Sequence, residues 1–295
     1  MDPKTIPVLV VGANRSGTTW LSNLLCNHSQ ISGVQSDEHF GIIETNLFGR
    51  MQRVFGSLNS RVNKIAFIES WSQTDFFLAT GIDKSEIYSL KSRDYVDIFR
   101  FVMREFSSRL GNSYWLQKLP TTEFRYLGSL QDDAKIIVIT RNMLGNLASK
   151  HGLLQKKGIK ASLTRSTMDY GLQQKIANSI SRRPNSFHVP YEDLVSQTEQ
   201  TLASICQFIG LEFEPNMVTN RYKRNSSFEN IKNDGPSRAS FRAWQQYFMK
   251  LIYGFTYCVP TPMLVWAMDN FRRNDTFLIP DTYKGLQHRH GVEDL

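Results

Sequence analysis

Cysteine is scarce in this 295-residue chain, which contains only three. Cys26, Cys206 and Cys258 are scattered without CxxC spacing, so they predict neither a disulfide framework nor a zinc site. No metal site is expected. Unpaired thiols are typical of a reducing compartment, and we therefore expect the protein to be cytoplasmic.

Long hydrophobic runs are also missing. The apolar run at 6–12 is too short for a signal peptide or membrane anchor and leads directly into a glycine motif. The aromatic segment 247–271 is interrupted by Lys250, Pro260 and Pro262, so we expect it not to span a membrane. It predicts a buried helical pair, with a lid over an acceptor pocket or a membrane surface as the alternative.

Acidic residues are outnumbered, with 27 Asp and Glu against 35 Lys and Arg and a formal net charge of +8. A basic balance favours anionic partners such as nucleotides, nucleic acid, acidic sugars or membrane surfaces. A solvated basic surface without any ligand explains the charge equally well. Charge alone therefore leaves the partner open.

Predicted strands and helices alternate along the chain. Continuous apolar runs at 6–12 and 134–140 are typical of buried parallel strands. Shorter strands are predicted near 31–36, 114–120 and 186–194, and helices near 18–28, 93–111, 142–156 and 195–210. This alternation predicts an α/β fold in which helices flank both faces of a central parallel sheet.

A glycine turn joins the first strand to the first helix. Gly12 and Gly17 bracket four residues, as in the phosphate-binding loop GxxxxGK[ST]. The lysine of that loop is missing, because Thr18 stands in its place and the loop's cation is Arg15. The strand at 134–140 is followed by Arg141, where a triphosphatase has a metal-binding carboxylate. The pattern predicts an anion cradle that works without a metal.

The letters NRSGTTWL in this loop resemble the 5′-phosphosulfate loop of sulfotransferases, whose usual form is K/R-S-G-T-T-W/L. The segment at 139–150 resembles the 3′-phosphate motif of the same family. The segments at 189–213 and 225–232 resemble its adenine-side stretches, and 237–244 loosely resembles its RKGxxGDW motif. The matches follow the order of the family's motifs.

The resemblance implies a P-loop-like three-layer fold and 3′-phosphoadenosine 5′-phosphosulfate (PAPS) as donor, with 3′-phosphoadenosine 5′-phosphate (PAP) as product. It implies no metal and no nucleic-acid partner. The donor-binding residues that it implies are Arg15, Ser16, Gly17, Thr18, Thr19, Trp20, Arg141, Ser149, Tyr191, Ser226, Phe228 and Arg238.

Two further segments resemble catalytic stretches of sulfotransferases. WLQKLP at 115–120 resembles the K-x-P strand end of carbohydrate and tyrosyl-protein sulfotransferases, which implies that Lys118 lies near the sulfuryl group and acts with Arg15. GVQSDEHFG at 33–41 resembles the E-x-H-F-F stretch of heparan sulfotransferases. A gapless count places Asp37 on the acid and His39 on the histidine, and either side chain can be the general base. Glu38 and Glu44 are the next candidates.

We expect a single sulfotransferase domain over 1–295, in which 40–110 and 245–295 build the acceptor site and a lid. The expected reaction moves a sulfuryl group to a hydroxyl, or less readily an amine, of a small-molecule or carbohydrate acceptor by in-line displacement. The alternatives are a P-loop kinase of a small metabolite and a non-catalytic module that binds nucleotides or anionic glycans. The acceptor and the oligomeric state stay open.

Overall fold

The computed structural model describes residues 5–45, 47–156, 158–219 and 241–273, the last five of these by their backbone alone. Ser226, Phe228 and Arg238 lie outside the described residues. The strands are β1 Ile6–Gly12, β2 Ile31–Gly33, β3 Gln35–Ser36, β4 Gly41–Ile42, β5 Tyr114–Pro120, β6 Lys135–Thr140 and β7 Ser186–Pro190.

Helices connect and cover these strands. The first seven are α1 Thr18–Leu25, α2 Gln52–Phe55, α3 Arg61–Trp71, α4 Asp75–Thr80, α5 Lys84–Tyr88, α6 Tyr95–Arg109 and α7 Leu130–Asp133. The remaining six are α8 Met143–Lys156, α9 Leu163–Ile180, α10 Tyr191–Ser196, α11 Thr198–Ile209, α12 Ala243–Cys258 and α13 Thr261–Arg273.

Five parallel strands form the main sheet in the order β2-β5-β1-β6-β7, with β1 in the centre. The register sets Gly12 opposite Pro120 of β5 and Ile139 of β6. Because parallel strands end at the same edge, the glycine loop, Lys118 and Arg141 all come to one edge of the sheet. The predicted α/β architecture with a central parallel sheet is confirmed.

The side chains of β1 alternate between two hydrophobic layers. Val8 and Val10 pack with α1 and α11, whereas Leu9 and Val11 face a second layer from the helices between 47 and 110. That second layer is rich in buried aromatic rings, including a Phe67–Trp71 stack with centroids 5.6 Å apart. The helices between 47 and 110 are therefore a packed part of the core.

Two predicted strands are shorter in the structure. The strand predicted to reach residue 36 ends at Gly33, and Gln35–Ser36 pairs with Gly41–Ile42 in a separate two-stranded ribbon. The strand predicted over 186–194 ends at Pro190, where a helix begins with Glu192 and Asp193 in its first turn. Acidic side chains at that position stabilise a helix N-terminus, which explains the early change.

The C-terminal helical pair is only partly buried, contrary to the prediction. Met249 of α12 is fully buried, but the side chains of Trp244 and Trp266 are 62% and 71% exposed. No single helix among the described residues is long and apolar enough to cross a bilayer. Ala243–Cys258 and Thr261–Met268 meet that test of length and composition only when taken together, and they are bent by 119°.

Candidate active site

The glycine loop is held closely against β6 and Tyr191. A Cβ on Gly12 would lie 2.7 Å from the carbonyl oxygen of Ile139, and one on Gly17 would lie 2.5 Å from the Tyr191 ring. Gly17 has a φ of +96°, and Arg15 also adopts a left-handed conformation with φ at +72°. The left-handed backbone and the close Tyr191 ring thus require glycine at residue 17. The same loop holds the backbone of Arg15 in a left-handed conformation.

Two amides from neighbouring helices support the loop. Asn146 Nδ2 in α8 donates to the Asn14 carbonyl oxygen at 2.9 Å and to Ser16 Oγ at 3.1 Å. The Asn14 backbone N–H donates to Gln173 Oε1 in α9 at 2.9 Å, and Gln173 Nε2 donates to Asp169 Oδ2 at 2.8 Å. These contacts were not predicted, since they join segments that are more than 120 residues apart in the sequence.

The N-terminus of α1 is open to an anion. Gly17 is the N-cap residue, and no side chain caps the first amides of the helix. The helix dipole and these amides favour a negative group at this position. Thr18 and Thr19 occupy the first turn and add hydroxyl groups to the amides. The loop therefore fits a phosphate group.

Two arginines meet beside the loop. Arg15 Nε donates to Ser149 Oγ at 3.2 Å, and an Arg141 Nη donates to the Arg15 carbonyl oxygen at 3.1 Å. The Arg141 guanidinium stacks 4.2 Å from the centroid of the Tyr191 ring. Burial, and then the neighbouring charge of Arg141, lowers the pKa of Arg15. The charge of a bound anion would counteract both effects on the pKa, so this pair favours a negatively charged ligand.

Lys118 lies at the mouth of the loop, near the end of β5. Its Nζ donates to Thr19 Oγ1 at 2.7 Å and lies 3.3 Å from Glu44 Oε1. The residue is only 8% exposed, while the Glu44 side chain is 49% exposed. The predicted cation thus lies beside the phosphate loop, and Glu44, one of the two next candidates for the base, lies beside that cation.

Asp37 and His39 lie in the exposed turn between β3 and β4. His39 Nε2 is 2.8 Å from Asp75 Oδ2 at the start of α4. This contact links the turn to the helical region at 47–110. The described contacts of Lys118 are to Thr19 and Glu44, so Glu44 is the carboxylate that the fold brings to the predicted cation.

The sequence model of the Sulfotransferase family matches residues 7–215, most of the chain. The chain belongs to the sulfotransferase family. It is thus an enzyme of the PAPS-dependent type. No curated protein sequence matches it significantly.

Solved structures agree with this fold. The sulfotransferase domain from the curacin biosynthetic pathway is 14% identical with a TM-score of 0.50, and the match covers 84% of this chain and 97% of that domain. The sulfotransferase domain of the Synechococcus PCC 7002 olefin synthase is 17% identical with a TM-score of 0.54, covering 88% and 98%. At these identities the likeness concerns the fold alone.

In this sulfotransferase a cleft of about 500 Å³ opens beside the arginine pair. Arg141 and Tyr191 line it together with Glu192, Phe241 and Gln246. Glu192 Oε1 accepts hydrogen bonds from both the backbone and the side chain of Asn142 at the start of α8. The cleft has room for a nucleoside next to the predicted 3′-phosphate residues. Glu192 and Gln246 were not predicted as site residues.

The predicted donor-side residues that the structure describes gather at one edge of the sheet. They are Arg15, Ser16, Gly17, Thr18, Thr19, Trp20, Arg141, Ser149 and Tyr191. Ser16 is fully buried, so it supports the loop by accepting from Asn146. In the described parts of the chain, no group of His, Cys, Asp and Glu is arranged to hold a metal ion.

Proposed function

We propose that this sulfotransferase moves the sulfuryl group of PAPS to a hydroxyl, or less readily an amine, of a small-molecule or carbohydrate acceptor. The observation that carries the proposal is Lys118, whose ammonium group lies between the phosphate loop at Thr19 and the carboxylate of Glu44. Sulfuryl transfer needs a cation where charge grows and a base where the acceptor loses its proton. This arrangement offers both within one site.

On the donor side, the amides of the glycine loop with Thr18 and Thr19 hold the 5′-phosphate. Arg141 and Ser149 hold the 3′-phosphate, and Tyr191 packs beside the adenine. When bound, the donor supplies a sulfuryl group whose sulfur the acceptor oxygen attacks as the bond to the 5′-phosphate breaks. Arg15 and Lys118 stabilise the negative charge that grows on the phosphate oxygen in the transition state.

On the acceptor side, a base takes the proton of the attacking hydroxyl. Glu44 is our first candidate, because its carboxylate is half-exposed and lies 3.3 Å from Lys118 Nζ. Asp37 and His39 remain the alternatives, since their turn adjoins the same region of the chain. Residues 40–110 are proposed to shape the acceptor pocket, and 245–295 to form its lid.

The proposal is tested by supplying PAPS with a panel of sugars, phenols, aliphatic alcohols and amines. We expect at least one hydroxyl acceptor to gain the mass of one sulfate, with PAP formed in equal amount. Glu44→Gln and Lys118→Ala should suppress both products. Phosphate transfer from ATP in the same panel, without any use of PAPS, would contradict the proposal and support the kinase alternative.

A further inference from the structure

An exposed aromatic stripe runs along α12. We use this name for Trp244, Tyr247, Phe248, Leu251 and Phe255, whose exposed fractions are 62%, 66%, 41%, 55% and 60%. Their spacing of three and four residues places all five on one face of the helix. Scattered exposed apolar side chains are ordinary, but a continuous stripe of this kind marks a surface that binds something.

The opposite face of α12 is fixed to the body of the protein. Thr256 is fully buried against α9, where a Cβ on Gly171 would lie 2.3 Å from its Oγ1. Lys175 Nζ in α9 donates to the carbonyl oxygens of Thr256, Tyr257 and Val259 at 3.3, 3.3 and 2.7 Å. These contacts anchor the end of the helix. The aromatic stripe therefore faces outward on a rigid support.

Helix α13 extends the same kind of surface. Met263 and Trp266 are 61% and 71% exposed, whereas Leu264 and Met268 are 2% exposed and pack with Leu172. The two helices are bent by 119°, so the pair presents a broad apolar area instead of one straight span. Helix α12 alone has 16 residues, or about 24 Å, less than the ~30 Å of a bilayer core.

All charged side chains between residues 241 and 268 are positive. Residues 241–268 contain Arg242 and Lys250 and not one aspartate or glutamate. Both cations are exposed. Tryptophan and tyrosine favour the boundary between lipid headgroups and acyl chains, and nearby lysine and arginine are attracted to anionic headgroups. We propose that the aromatic stripe lies on a membrane surface that carries anionic lipid, with α12 in the plane of the membrane.

A second copy of the chain fits this surface less well. Lys250 lies at the middle of α12, so two stripes that pack antiparallel would bring the two Lys250 side chains together. No carboxylate between 241 and 268 can neutralise that pair, and each chain already carries a formal charge of +8. An anionic lipid surface removes this repulsion, which is why we choose it as the occupant.

Tryptophan fluorescence provides the first test, because three of the five tryptophans are buried. Trp20, Trp71 and Trp115 are 7%, 0% and 1% exposed, so a change in emission on binding reports Trp244 and Trp266. Vesicles of phosphatidylcholine mixed with phosphatidylglycerol should shift the emission to shorter wavelength and carry the protein in a flotation assay. Vesicles of phosphatidylcholine alone should bind far less, and added salt should weaken binding to the mixed vesicles.

Matched variants distinguish the contribution of the aromatic stripe to membrane binding from the general effect of a surface substitution. Phe255→Ser should weaken binding to mixed vesicles about tenfold, and Lys250→Glu, a change of two charges, about thirtyfold. The controls Leu110→Ser and Lys91→Glu alter equally exposed residue types outside the helical pair and should bind as the wild type does. Circular dichroism and the melting temperature should show that all four variants are folded.

Three results would overturn the proposal. The first is no binding of the wild-type protein to mixed vesicles. The second is equal binding to neutral and mixed vesicles, because the charge argument would then be wrong. The third is a dimer, seen by sedimentation without lipid, that Phe255→Ser dissociates, because a second copy would then cover the stripe. PAPS turnover plays no part in these measurements, so they stand apart from the proposed reaction.

Discussion

At the scale of single residues, the two arginines beside the loop have different expected roles. Arg15 sits inside the loop, where the proposed reaction places the growing charge, whereas Arg141 follows β6 and stacks on Tyr191. We expect Arg15→Ala to lower kcat by about 10²-fold or more and Arg141→Ala mainly to raise the KM for PAPS. Steady-state kinetics with varied PAPS check this. A change in KM alone for Arg15→Ala would remove its catalytic role.

The identity of the base is also a question of single residues. If Glu44 is the base, Glu44→Gln should lower kcat by about 10²–10⁴-fold and leave PAP affinity nearly unchanged. Asp37→Asn and His39→Gln should then keep activity within a few fold of the wild type. The measurement is kcat for each variant beside the Kd for PAP from calorimetry.

Different results are expected if His39 or Asp37 is the base. If His39 is the base, His39→Gln should be almost inactive and Asp37→Asn only impaired. If Asp37 is the base, Asp37→Asn should be the least active variant and His39→Gln only impaired. A fully active Glu44→Gln would contradict our reading of the Lys118–Glu44 contact.

At the scale of elements, the strand–loop–helix unit depends on Gly17. A methyl group there would strain a left-handed backbone and press on the Tyr191 ring at 2.5 Å. We expect Gly17→Ala to weaken PAP binding at least tenfold, because Tyr191 supports Arg141. Calorimetric titration with PAP measures the effect.

Gly111 offers a matched control for that substitution. Its φ is +73°, but nothing lies within 4 Å of a Cβ built there. Gly111→Ala should therefore cost about 1 kcal/mol of stability through strain and leave PAP affinity unchanged. Equal loss of PAP affinity in both variants would show that crowding at Tyr191 is not the cause.

At the scale of the whole molecule, donor binding should stabilise the fold. A ligand of the native state at 100 times its Kd adds about 2.7 kcal/mol, which corresponds to a Tm rise of about 5 °C for a chain of this size. PAP should give such a rise, and ATP much less, because ATP lacks the 3′-phosphate that Arg141 and Ser149 are proposed to hold. Differential scanning fluorimetry decides, and an equal rise with ATP would contradict the assignment of these two residues.

Activity of the whole enzyme should not need a divalent metal. Arg141 follows β6 where a triphosphatase holds its metal through a carboxylate. We therefore expect PAPS turnover to be unchanged in excess chelator. Loss of PAPS turnover in chelator that Mg²⁺ restores would contradict the expectation that the site works without a metal.

Much of the fold and of the donor site could be predicted from local sequence. The apolar runs at 6–12 and 134–140 predicted the two central strands, since such runs are typical of parallel strands that are buried on both faces. The glycine loop and Arg141 follow those strands directly, so a correct strand order was enough to bring them together. The confirmed fold and family rest on these short-range patterns.

What only the tertiary structure decided depends on contacts between distant segments. Glu44 lies beside Lys118, and Asn146 and Gln173 hold the loop, because sheet order and helix packing bring residues together that are separated by more than 70 positions. Helix packing also determines that the side chains of the aromatic stripe are exposed. Apolar composition predicted burial, but one helix can bury only the face that meets α9, and its other aromatic side chains remain at the surface.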